Sequence, residues 1–167
     1  MSTLEVLDAG VPLAFSFDDL MRYHGSHSPG GVAHAFKVLE RALPLLDAGA
    51  PPERREITLR TAFGGPGARD AFELVTRAVT GDRYVIDAAL ARPERGTALE
   101  RFVFRLGYRE REVTLLVREG YVTDEFIALA RAEDPTPEQA ERLVLLKREM
   151  AERVMASPAN AVYDVVA

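Results

Sequence analysis

Seven apolar residues, Val32, Ala35, Phe36, Leu39, Ala42, Leu43 and Leu46, recur at three- and four-residue spacing and set one face of a long helix. Ser28 is placed to cap it and Pro29 to fill its first position, so the pattern predicts a helix over 29–46, ended by the turn at 49–52. By the helical period His34, with Lys37 and Arg41, lies about 140° from the centre of that face, which predicts a solvated imidazole. The period then changes to two: Ile57, Leu59, Thr61 and Phe63 alternate with Thr58, Arg60 and Ala62, as in a strand with one buried face. Gly64-Gly65-Pro66-Gly67 turns the chain into a second helix that buries Ala68, Ala71, Phe72, Val75, Ala78 and Val79. Three strands follow at 84–90, 101–108 and 111–118, the last two a hairpin turning at 107–110, with Phe102, Phe104, Leu106 and Tyr108 on one face. Thr123 opens a short helix to about residue 132. Thr136-Pro137-Glu138-Gln139, a capping box with proline in the first turn, starts a long helix to about residue 155. Its buried stripe reads as Leu143, Val144, Ala151, Val154 and Met155, with Arg142, Lys147 and Arg148 on a solvated surface. Ahead of all this, residues 1–14 hold no firm period and are broken by Gly10 and Pro12, a loose arm; Ser16 or Asp18 caps a short helix through Met21. The pattern is that of an α+β chain.

Composition narrows the function. A chain of 167 residues with 47% apolar residues supports one domain with a real core, spanning 1–167 with its core over 15–165. A formal net charge of −5 argues against a general nucleic-acid binder, which relies on phosphate neutralisation. With no cysteine, disulfides, thiolate metal sites and a thiol nucleophile are excluded, leaving His, Asp and Glu as ligands. No segment reaches the length of a membrane span and no basic start precedes an apolar run, so a cytoplasmic location is expected.

All three histidines fall within Tyr23-His24-Gly25-Ser26-His27-Ser28-Pro29-Gly30-Gly31-Val32-Ala33-His34. Imidazole is the commonest neutral metal ligand and titrates nearest neutrality, so this concentration marks a candidate site. His24 is the candidate metal ligand, haem ligand or general base. His27 and His34 are candidate co-ligands for a divalent, zinc-like ion, with Asp19 or Asp70 able to complete three ligands. Asp70 is alternatively the carboxylate that orients His24, or a simple helix-start residue. The glycine turn, with Gly64, Gly65 and Gly67, can present backbone N–H groups to an anion or carbonyl oxygen, although its spacing matches neither phosphate-loop fingerprint. Ser26 and Ser28 lack the surroundings of a serine nucleophile.

The stretch Tyr23-His24-Gly25-Ser26-His27-Ser28-Pro29-Gly30 resembles the opening motif of the FmdE family of formylmethanofuran dehydrogenase components: aromatic, His-Gly-His, any residue, Cys-Pro-Gly, at the head of a helix. Arg69-Asp70-Ala71-Phe72 resembles that family's Asp-Ala before an apolar helix, and the likeness runs thinly on to 162–165. The resemblance implies an α+β domain in the order helix, strand, helix, three strands, similar to the catalytic half of glyceraldehyde-phosphate dehydrogenase, and a homodimer. The departures bear on function: Ser26 and Ser28 replace the family's second His and its Cys, His34 replaces a helix Gly, and no C-terminal zinc ribbon follows. Two functions are therefore expected from the sequence. One is a small-metabolite enzyme or enzyme-like protein with its pocket between the histidine turn and the 64–70 loop, using His24 with a metal or haem, or as a base oriented by Asp70. The other is a metal-free binding protein or accessory component that keeps the fold.

Overall fold

The computed structural model describes residues 2–166. Strands β1 (Leu4–Asp8) and β2 (Val11–Phe15) form an antiparallel hairpin, and α1 (Phe17–His24) leads to α2 (Pro29–Leu46). Then come β3 (Ile57–Thr61), α3 (Pro66–Thr76), β4 (Tyr84–Ile86), β5 (Val103–Tyr108) and β6 (Arg111–Val117). These are followed by α4 (Asp124–Ala130), α5 (Pro137–Met155), α6 (Ala159–Val162) and β7 (Tyr163–Val166). The larger sheet has the order β4-β3-β5-β6-β7, antiparallel except for the parallel β3–β4 pair. This is an α+β fold, and among the described residues no helix is long and apolar enough to cross a membrane.

The fold is organised around α2, which lies between the sheet and α5 and also packs on α3. Its glycines explain how these surfaces meet there. A Cβ on Gly30 would strike Met150 of α5, and one on Gly31 would come within 3.1 Å of the Ala68 nitrogen of α3. A Cβ on Gly67 would lie 2.5 Å from the Ser28 carbonyl oxygen and 3.1 Å from the Val32 nitrogen. Glycine at these positions lets two helix backbones nearly touch. From Gly30 to Leu39 every residue of α2 is buried.

That cladding overturns the expected solvation of His34, which is 0% exposed. Two layers of cover, rather than one, leave the helix with no wet side along its first half. The ring sits 5.0 Å from the Phe102 ring, and Lys37 is buried on the same helix with its ammonium 2.9 Å from Glu40. Several other expectations also shift. Residues 4–15 form a hairpin rather than a loose arm, because Leu4 and Val6 are core residues and the Leu7 amide bonds the Pro52 carbonyl. Helix α5 is turned relative to the stripe read from the sequence. It buries Leu146, Met150, Ala151 and Val154, and Val144 is 57% exposed. The strand expected over 84–90 stops at Ile86 and gives way to a single 3-10 turn at Ala88–Leu90. Strand β7, the sheet's second edge, is an element the periodicity did not reveal.

The face Phe102, Phe104, Leu106 and Tyr108 is buried as expected. The capping box at Thr136 and Gln139 is formed, as is the Thr123 cap. Helix α3 ends earlier than expected, at Thr76, where Arg77 adopts φ 57°. Two arginines supply its acceptor-rich end with donors: Arg54 bonds the Leu74 and Val75 carbonyls and Arg83 bonds those of Thr76 and Arg77. Their positive charge is also of the sign that the carbonyl end of a helix dipole favours.

Candidate functional site

The histidine stretch is built from the end of one helix and the start of the next. Ser16 accepts from the Asp19 amide at 3.1 Å while Asp19 accepts from the Ser16 amide at 2.9 Å, the reciprocal box that starts α1. Those bonds to the Ser16 amide and hydroxyl, with help from Arg22, hold the Asp19 carboxyl below its usual range and commit it to capping, so it is not a free ligand. Helix α1 runs on to His24 and stops at Gly25, whose amide still bonds the Met21 carbonyl at 2.7 Å and whose φ of 92° turns the chain out of the helix. His24 is therefore a helix-terminal residue, aimed by α1, rather than a turn residue.

The His24 imidazole meets Asp70 on α3, Nδ1 to Oδ2 at 2.8 Å, across 46 residues of sequence. A carboxylate only accepts, so Nδ1–H is the donor, which leaves Nε2 as the ring atom that would carry the lone pair in the neutral form. The side chain is 5% exposed, and Nε2 is closed to solvent with no hydrogen-bond partner among the described residues. Asp70 is not a capping residue: it lies on the fifth residue of α3, and the cap position belongs to Gly65.

His27 is exposed and faces elsewhere. It lines a cavity of about 410 Å³ between the start of α2, the 64–67 turn, α4 and α5. Gly64, Gly65 and Gly67 line it, as the sequence placed them, but His24 and Asp70 do not. The expected common pocket is thus divided in two: the His24–Asp70 pair is packed between α1 and α3, and the open space lies past Ser28 and Gly67. The walls are apolar, with Phe63, Phe102, Phe126, Ile127, Leu143 and Met150, and the Phe63 and Phe102 rings stack at 4.3 Å. The charged groups around it are Arg101, Arg131 and Lys147, without a carboxylate among the described residues of its lining. Arg131 is partly neutralised by Glu100 at 3.6 Å.

His34 takes no part in either place. Its Nε2 faces the Tyr121 carbonyl at 3.3 Å and must donate there, which leaves Nδ1 to accept from the Tyr163 hydroxyl at 2.8 Å. Burial pulls its pKa down to about 3, so the ring is neutral and fully engaged. The expected triad of His24, His27 and His34 is not assembled, and among the described residues no three His, Asp or Glu side chains gather to hold a metal ion. The His24 Nε2, the atom a haem iron would have to reach, is closed to solvent and lies outside the lining of this cavity.

Ser28 occupies the α2 cap position but, against expectation, makes no side-chain cap bond. Lys147, read from the sequence as surface, is a wall residue; its spacing from Leu143 and Met150, four and three residues, was the available signal. Arg101 carried none, since it precedes a strand. The chain matches no model of a known protein family, and no curated protein matches it.

Proposed function

We propose that this protein binds a small organic molecule in the cavity between α2, the 64–67 turn, α4 and α5, without a metal. The observation that supports this is the cavity itself: about 410 Å³, within the range of metabolite sites, with mostly apolar walls and a few polar groups. This is closer to the expected metal-free binding protein than to a metal enzyme. Kinship with the FmdE family belongs to the same proposal, supported by Tyr23, His24, Gly25 and the Pro29-Gly30 pair and by the order of elements from α2 to α5. The neutral fluorophore N-phenylnaphthylamine tests the reading. It is expected to brighten and saturate at one site per chain, and Ala98→Trp, which fills the cavity from its wall, is expected to abolish that signal while the far-ultraviolet circular dichroism stays unchanged. Equal binding by the wild type and Ala98→Trp would remove the cavity from the protein's function.

A second reading, His24 as a general base oriented by Asp70, is favoured by the Nδ1 contact with Asp70 and by the unpartnered Nε2. It requires the packing around His24 to open locally, because Nε2 is closed to solvent. Carbethoxylation with peptide mapping measures this: exposed His27 reacts fast, and slow but progressive reaction at His24 is expected if that opening occurs. Complete protection of His24 would leave the pair as a structural clasp between α1 and α3.

A further inference from the structure

Resting on the cavity reading above, we propose that the end of the cavity at Ser28, Gly31, Gly67 and Lys147 takes the anionic group of an otherwise apolar ligand, a carboxylate or its sulfonate or phosphate counterpart. Four observations meet there.

The first backbone bond of α2 runs from Val32 to Ser28, and that of α3 from Arg69 to Gly65. The Gly31 and Gly67 amides come before those bonds and so lack an intrahelical acceptor. Both residues line the cavity, and the near-contact of the two backbones at Gly67 and Ser28 brings the positive ends of both helix dipoles to one place. Ser28 also lines the cavity, is only 6% exposed, and its hydroxyl makes no cap bond. The hydroxyl oxygen keeps an opening to solvent and lacks its customary amide, so it is available to a ligand in the cavity. The Lys147 ammonium stands beside the same turn, 3.5 Å from the His27 carbonyl oxygen, a long contact that leaves two of its three protons free. Arg101, which also lines the cavity, adds a second cation, without an ion-pair partner among the described residues.

On a chain of formal charge −5, a cavity bordered by cations and no carboxylate runs against the overall charge. The remaining walls are hydrocarbon and aromatic, so the ligand has a polar head and a flat or branched apolar body. The head sits on the amides and Ser28; the body lies against Phe102, Ile127 and Met150.

A matched pair of dyes separates the two layers of argument. Anilinonaphthalene sulfonate is N-phenylnaphthylamine with one added sulfonate. The sulfonated dye is expected to bind at least about tenfold more tightly, the gain of one charge-assisted hydrogen bond. Lys147→Met with Arg101→Met is expected to erase most of that difference and to leave the neutral dye unaffected. Ser28→Ala is expected to weaken only the sulfonated dye. If both dyes bind equally in the wild type, or if the double variant weakens both alike, the anion inference is overturned and the cavity reading stands. If neither dye binds, both are overturned.

Discussion

Gly67→Ala is expected to lower stability by about 2–4 kcal/mol, a drop in melting temperature of roughly 5–15 °C for a chain of this size. The new methyl would lie 2.5 Å from the Ser28 carbonyl oxygen and 3.0 Å from the Ser28 Cβ. The nearest obstacle is main chain, which has no rotamer to change, so relief requires α3 to move off α2. That movement also loosens His24 from Asp70, because Asp70 is one turn along the same helix. Gly64→Ala, three residues away, is the internal control. A Cβ there meets nothing within 4 Å and the backbone is not left-handed, so the change is expected to stay within about 0.5 kcal/mol of the wild type. Thermal melts of the two variants decide the matter; similar melting temperatures would show that the helix approach is slack.

Acid is expected to destabilise the protein through one histidine. His34 has a folded pKa of about 3 against 6.5 in the unfolded chain. Between those values the unfolded state binds the extra proton, so stability is full above the unfolded pKa and falls as the pH drops. The contribution lost between pH 7 and pH 5 is about 2 kcal/mol. His34→Gln, which can still donate to Tyr121 and accept from Tyr163, is expected to be less stable at neutral pH. It is also expected to show a shallower pH dependence across that interval. Urea melts at the two pH values, wild type against variant, measure the difference directly. An unchanged slope would mean that the ring titrates while folded.

His34 also shows where sequence reading ran out. A helical wheel reports which side of a helix is most apolar; it does not report how many neighbours the helix has. With Val32, Phe36 and Leu39 on one side, His34 and Lys37 looked like the wet side, and only the return of the later elements, α5 and β7 among them, covers that side. Helix starts fared better, because caps are local: Ser16, Thr123 and Thr136 cap where their sequences place them, whereas Ser28 holds the cap position of α2 without a side-chain bond. The His24–Asp70 contact was one of two roles the sequence left open for Asp70, the other being a helix-start residue, and the cavity expected to join the pair is not there. The cavity was half legible. Its glycine border and His27 came from sequence, whereas Lys147 and Arg101 reach it from elements whose rotation or packing no periodicity fixes. Val144, exposed where the apolar pattern puts it in the core, shows the same rotational error on α5.

The double cladding of α2 has a consequence for biogenesis. A helix of 18 residues that ends by position 46 gains its outer cover from a segment centred a hundred residues later. While the chain emerges from the ribosome, the side of that helix which α5 covers stays open until the residues around 150 have been made, although α3 and the sheet strands are available earlier. Late acquisition of full protease resistance is the expected consequence, whatever molecule the finished cavity holds.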